Sequence, residues 1–189
     1  MTGAVALALL LAPYWETKPP REWSVEELQR MFTDSPWAQI TTAGRNAAAP
    51  APIPVFLSTA EPMKQAEAEA RRRARLEPDP DFTDFLSAHE GKAIILAIRI
   101  DNPLALSDGE ESRRMESESV LRVGRRKHKL IGHFPPSRED PFLRLAFPRD
   151  VPPAERKLTF ELYVPGASYP YRVIEFVLKD LAWRGAPAY

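Results

Sequence analysis

Residues 157–164, KLTFELYV, alternate cleanly, with Leu158, Phe160, Leu162 and Val164 on one side and Thr159, Glu161 and Tyr163 on the other. A period of two predicts a strand with one buried and one wet face. In YRVIEFVLK the stripe recurs as Ile174, Phe176 and Leu178, with Glu175 and Lys179 opposite. AIILAIRI, 93–100, is a continuous apolar run as far as Ile98, which predicts a central strand covered on both faces. IPVFLS, SVLRV, KHKLIG and PFLRLAF supply further strands, and Gly124 marks a hairpin between SVLRV and KHKLIG. Strand signals at this spacing predict an antiparallel sandwich of about seven strands.

Helical spacing occupies the first half. Ser24 and Glu27 form a capping box, and Val25, Leu28, Met31 and Phe32 share one face, so 25–33 is predicted as a short amphipathic helix that needs a partner surface. Pro36 drives Ser35 out of the helical region, and the turned chain aims Trp37 back at Leu28 and Phe32 as an anchor. A second helix begins at Ser58 or Thr59, with Pro62 in its first turn. It carries a small-residue stripe of Met63, Ala66, Ala70 and Ala74, and ladder pairs Glu67–Arg71 and Glu69–Arg73 on a largely solvated surface. A third puts Phe82, Phe85 and Leu86 on one face and closes at Gly91. The expected fold is α+β and mainly β: a sandwich-like domain over 51–189 with two inserted helices, preceded by a Trp/Pro-rich arm with one short helix over 13–50.

Composition refines this picture. A chain of 189 residues is enough for one core, and 20 prolines against 8 glycines imply stiff, extended connections. Basic and acidic residues cancel at 26 each, so no overall field draws the protein to nucleic acid or anionic membranes. With no cysteine there is no disulfide, thiolate ligand or thiol nucleophile. The run Ala4–Ala12 is too short to span a bilayer and reads as a secretory h-region, so 1–12 is expected to be part of a signal peptide. It lacks a basic n-region and has Leu10 where a small residue is preferred at cleavage.

The ordered landmarks YWETKPPREWSVEELQRMFTDSPWA, VFLSTAEPMKQA, LAFPRD and IEFVLKDLAWRG cover most of the chain. In them the protein resembles a group of uncharacterised bacterial exported proteins, in which a Trp-rich arm with a T-D-S-P-W-A motif precedes a mainly β domain. Such proteins occur alongside families bearing the GWxTD domain, and that motif itself is absent here. The resemblance implies export and overall layout and carries no catalytic residue.

No catalytic constellation stands out. DPDFTDFLSAHE, 79–90, matches an EF-hand register at Asp79, Asp81 and Glu90, but Asp84 stands where the loop needs glycine. A helix capped by Asp79 or Asp81 explains the carboxylates better. His89, His128 and His133 lack zinc-site spacing and are read as surface residues. RRRAR, 71–75, and RRKHK, 125–129, lack interleaved aromatics and are read as solvated faces. No cofactor, metal or nucleic-acid partner is expected. The expected role is therefore a non-catalytic interaction or structural module of the cell envelope, periplasmic or extracellular, engaging another envelope protein. Trp15, Trp23, Trp37, Trp183, Tyr169 and Tyr171 are the candidate binding residues. Two alternatives stay open. One is an envelope polymer or peptide hydrolase built on Asp79, Asp81, Asp84 and His89; the other is a carrier holding a small apolar ligand against Phe160, Ile174 and Phe176.

Overall fold

The computed structural model describes residues 12–41, 52–100 and 102–189. The apolar run before residue 12, and with it the expected signal segment, lies outside the described residues, as does the linker over 42–51. The arm comprises α1 (Tyr14–Thr17), a 3-10 turn at Pro20–Glu22, α2 (Val25–Thr33) and β1 (Ala38–Thr41). Then follow β2 (Ile53–Leu57), α3 (Glu61–Ala74), α4 (Pro80–Ala88), β3 (Ala93–Arg99), a 3-10 turn at Pro103–Ser107 and α5 (Gly109–Glu118). The rest is strand: β4 (Val120–Val123), β5 (Arg126–Lys129), β6 (Gly132–Phe134), β7 (Phe142–Pro148), β8 (Lys157–Tyr163), β9 (Tyr171–Val177), and a small pair β10 (Ala182–Trp183) and β11 (Ala186–Pro187).

The fold is α+β and mainly β, with every strand pair antiparallel. One sheet runs β1-β2-β3-β7-β6 and the other β5-β4-β8-β9. They meet through their apolar stripes: Ile94, Leu96, Leu145 and Phe147 from the first, and Leu121, Leu158, Phe160, Ile174 and Phe176 from the second, belong to one buried cluster. The Phe147 and Phe160 rings join the two layers at 5.5 Å. At one margin the Gln39 side chain of β1 donates to the Glu175 carbonyl of β9, 2.5 Å away.

β3 is central and covered on both faces as its unbroken apolar run requires, all residues from Ala93 to Ile98 being buried. On its outer side Ala93 and Ile95, with Ala146 of β7, pack against Phe82, Phe85 and Leu86 of α4. α2 and α4 match their expected caps: Ser24 accepts from the Glu27 amide in a reciprocal capping box, and Asp79 accepts from the Phe82 amide.

Four sequence expectations change. Eleven strands are present among the described residues, because β1, an edge strand of the arm hydrogen-bonded to β2, the short β6 and the pair β10 and β11 add to the seven expected. Helix α5 was not anticipated, since GEESRRMESE has a single buried apolar residue, Met115, and so no periodic stripe. α3 starts after Ala60 without a side-chain cap, because Ser58 bonds Arg144 instead; its Glu67 also pairs with Arg144 rather than Arg71. The polar face of β8 is not uniformly wet: Thr159 and Tyr163 are 7 % and 3 % exposed. Tyr163 is covered by Arg114 and Glu111 of α5, and Thr159 donates to Glu175 at 3.1 Å.

A candidate interaction face on the four-stranded sheet

The six candidate aromatics divide into two groups. Trp23 is 3 % exposed and Trp37 fully buried, so neither presents a surface to a partner. This corrects the expectation that they bind, and the reason is local geometry. The turn after α2 seats the Trp37 indole in the core, and its Nε1–H donates to the Ala188 carbonyl at 2.7 Å. Trp23 Nε1–H donates to the Lys18 carbonyl at 3.1 Å. Trp15 is half-buried and packs edge-on to Trp37 with centroids 6.0 Å apart. Trp183 is half-buried beneath the Arg184 guanidinium, 4.3 Å from its ring centre. The arm's tryptophans are fasteners within the fold. Tyr169 and Tyr171 are the exposed members, at 42 % and 57 %.

Tyr171 opens β9, the margin of the four-stranded sheet, where burial alternates without a fault. Arg172, Ile174 and Phe176 face inward; Tyr171, Val173, Glu175 and Val177 face out. Val173 and Val177 are 63 % and 42 % exposed, and with Tyr171 they form the largest outward apolar row on any strand among the described residues. The register sets charged residues beside it: Glu161, Thr159 and Lys157 of β8 oppose Val173, Glu175 and Val177, and Arg122, Lys127 and Lys129 follow on β4 and β5. On these strands four cations, Arg122, Lys127, Lys129 and Lys157, stand against two carboxylates, Glu161 and Glu175, while over the upper end of the row α5 sets Arg114 beside Glu111 and Glu118. The carboxylates are paired, Glu161 with Arg122 at 2.7 Å and Glu175 with Lys157 at 2.6 Å. Lys157 holds the Glu175 carboxyl below its ordinary range.

Helix α5 stiffens the upper end of the row. The Tyr171 hydroxyl donates to Glu118 at 2.6 Å and accepts from Arg114 at 2.9 Å, and the Arg114 guanidinium lies 4.2 Å over the Tyr163 ring. Tyr163 donates to Glu111 at 2.6 Å, and that bond together with burial pushes its pKa up to about 12. Tyr171 is therefore an exposed ring whose hydroxyl is tethered at its tip, an arrangement that loses little side-chain freedom on contact. At the lower end Val177 borders a groove of about 780 Å³ walled by Pro152, Pro153, Pro187 and Tyr189.

The hydrolase residues do not converge. Asp79 caps the start of α4 and His89 ends it, which separates them by roughly 15 Å of helix. The His89 ring stacks on Phe85 at 4.1 Å, with Nδ1 3.1 Å from the Phe85 carbonyl. His128 and His133 lie on strands of different sheets, and His133 faces Glu116 at 3.4 Å. No group of three or more metal-ligating side chains occurs among the described residues. The hollow expected of a carrier is filled, since Phe160 and Phe176 are in ring contact at 6.0 Å.

Two arginines lie deep in the fold. Arg144, on the helix-covered side of β7, has 1 % of its side chain exposed; its three partners are Asp140, Ser58 at 2.5 Å and Glu67 at 2.5 Å. The Phe82 ring lies 4.4 Å from its guanidinium carbon. Burial alone would lower its pKa, but Glu67 and Asp140 outweigh this and hold it above the ordinary arginine value. Arg172, on the inner face of β9, is 2 % exposed, and among the described residues nothing hydrogen-bonds its Nε or Nη1. The signal for both was available: each stands in or between apolar stripes of a strand.

Compared with family models, curated proteins and solved structures, the chain matches none. The class that fold and surface define is a two-sheet α+β domain with a partly apolar sheet face rimmed by charged side chains. No helix among the described residues is long and apolar enough to cross a membrane.

Proposed function

We propose that the protein is a non-catalytic interaction module of the cell envelope, and that it docks a partner protein on the outer face of β9. The observation that carries the reading is the outward row Tyr171, Val173 and Val177, ordered by α5 and flanked by a cationic band. An exposed apolar row rimmed by charge is the anatomy of a protein contact, with a tethered aromatic ring as its anchor. The fitting partner presents an apolar ridge bordered by carboxylates, which meet Lys129 and the other cations. Export rests on the apolar start of the chain and on the resemblance to exported proteins with a Trp-rich arm.

The test is a paired exchange, Val173→Lys with Val177→Glu. Each new charge stands opposite a complementary one, Glu161 and Lys157, and both sites are exposed, so the unfolding midpoint is expected to stay close to wild type. Partners captured from a native envelope fraction and then purified should bind the variant roughly tenfold or more weakly. Equal binding by a folded variant removes β9 from the interface. Truncating the arm would not serve, because the arm is part of the core.

A further inference from the structure

The two buried arginines differ in a way that points to a ligand. Arg144 has a partner for each of its three nitrogens. Arg172 does not: its Nε and Nη1 are buried and make no hydrogen bond, and no acidic group among the described residues pairs with it. A guanidinium stays protonated in proteins, so burial there is a pure desolvation penalty that nothing within the described fold offsets. That burial also holds its pKa below the ordinary value. Native structures rarely leave such a group unsatisfied unless something else completes it.

Space for that something exists. Arg172 borders a cavity of about 180 Å³ at one end of the sandwich, beside Asn102 and Ser168 and walled by Ile53, Ile100 and Val164. Gly166 shapes its rim. Its φ is +71°, and a Cβ there would meet the Ala105 Cβ at 2.6 Å, so only glycine lets the 164–170 loop lie this close to the turn at Pro103–Ser107. We propose that this cavity binds a monoanionic carboxylate with a short apolar tail, the carboxylate against Arg172 and the tail against Ile53, Ile100 and Val164. Charge sets the class. Among the described lining residues Arg172 is the one ionised group, so a single negative charge is neutralised and a phosphate dianion would leave one charge buried and unmatched. Size sets the length: the cavity is smaller than the roughly 300 Å³ at which drug-sized sites begin. The same chemistry is offered by a free short-chain acid or by the carboxylate that ends a peptide.

Calorimetry and amide NMR of the full chain with propionate, N-acetylalanine, propionamide and phosphate test this. Both carboxylates should saturate with shifts centred on residues 164–172, and the tighter of the two identifies the source. Propionamide and phosphate should bind at least about tenfold more weakly. Arg172→Met should lose carboxylate affinity by roughly tenfold or more while its ligand-free melting temperature holds or rises, because an unpaired buried charge has been removed. Arg172→Gln, still polar at its end, should show the same loss of binding. Asp101, which lies outside the described residues, stands in sequence between Ile100 and Asn102. Asp101→Asn should leave carboxylate affinity unchanged, whereas a gain of about tenfold would assign Arg172 to Asp101 and overturn the proposal. It is overturned equally if neither carboxylate saturates, if propionamide or phosphate binds as well, or if Arg172→Met melts several degrees below wild type.

Discussion

Arg144 and Arg172 show how little a residue type says without its neighbours. Arg144 sits in PFLRLAF and shares its side of β7 with Phe142 and Ala146, which marks it as the one charge on a covered face. What the sequence could not disclose is its partner. Glu67 lies 77 positions away, and local helix rules paired it with Arg71 at the next turn. Tertiary burial overrode that pairing, because a carboxylate with only 7 % of its side chain exposed needs a buried cation more than Arg71 needs an acid. The pair is expected to behave as a unit. Arg144→Met strands Glu67 and Asp140 and should destabilise by about 3–5 kcal/mol in urea unfolding. The double variant Arg144→Met with Glu67→Gln should be less destabilised than the sum of its single changes by about 1–3 kcal/mol. Simple additivity would mean that the two side chains do not share one network. Arg172 was legible by a different sign, its phase with Ile174 and Phe176 in the inward stripe of β9.

Among the helices, legibility followed the strength of the apolar stripe. α2 could be read to the residue from Ser24, Glu27 and the face of Leu28 and Met31, whereas α5, with Met115 alone, could not. α3 lies between these cases: its small-residue face was visible and its Glu69–Arg73 pair is present at 2.6 Å, but Glu69 is 4 % exposed where a solvated ladder was expected. The cause is the arm lying across it, where Arg73 bonds both Glu69 and the Trp23 carbonyl, the latter at 2.6 Å. Arg72, burial and Arg73 together set the Glu69 pKa, and the arginines prevail, holding it down at about 2. A carboxyl whose folded pKa is depressed stabilises the fold above its unfolded value and loses that contribution as pH falls toward the folded one. Stability should therefore decline from about pH 4.5 down to about pH 2, the interval between the two values. Glu69→Gln should flatten this acid limb and, at pH 7, unfold more easily by on the order of 1–2 kcal/mol; the half-exposed Arg72 keeps the figure modest. An acid limb identical to wild type would show that Glu69 is not the titrating group.

At the scale of the molecule, the two-sheet plan was legible because alternating stripes name their own faces. Small residues and prolines accumulate at 41–52, and there the sequence divides arm from body. Composition marks where a chain turns, not whether its two sides share a core. Here they do. β1 pairs with β2 from Ala38↔Phe56 to Thr41↔Ile53, Phe32 packs edge-on to Phe56 at 5.2 Å, and Trp37 is tied to Ala188, 151 positions further on. Removing residues 1–41 would bare the edge of β2 and uncover Phe56 and Met63, both fully buried in the intact fold. An unpaired apolar edge strand invites association between copies, so the truncated chain is expected to lose its single cooperative transition and to aggregate on concentration, by calorimetry and light scattering. Trp37→Phe is the graded form of the same test. It keeps a ring in the core but leaves the Ala188 carbonyl without its donor, for a loss of about 1–3 kcal/mol. A fragment starting at residue 42 that stays monomeric and melts sharply at the wild-type midpoint would mean that the tryptophans decorate the fold rather than complete it. Partner capture would then have to be re-examined with the arm as an independent contact, in competition with the row on β9.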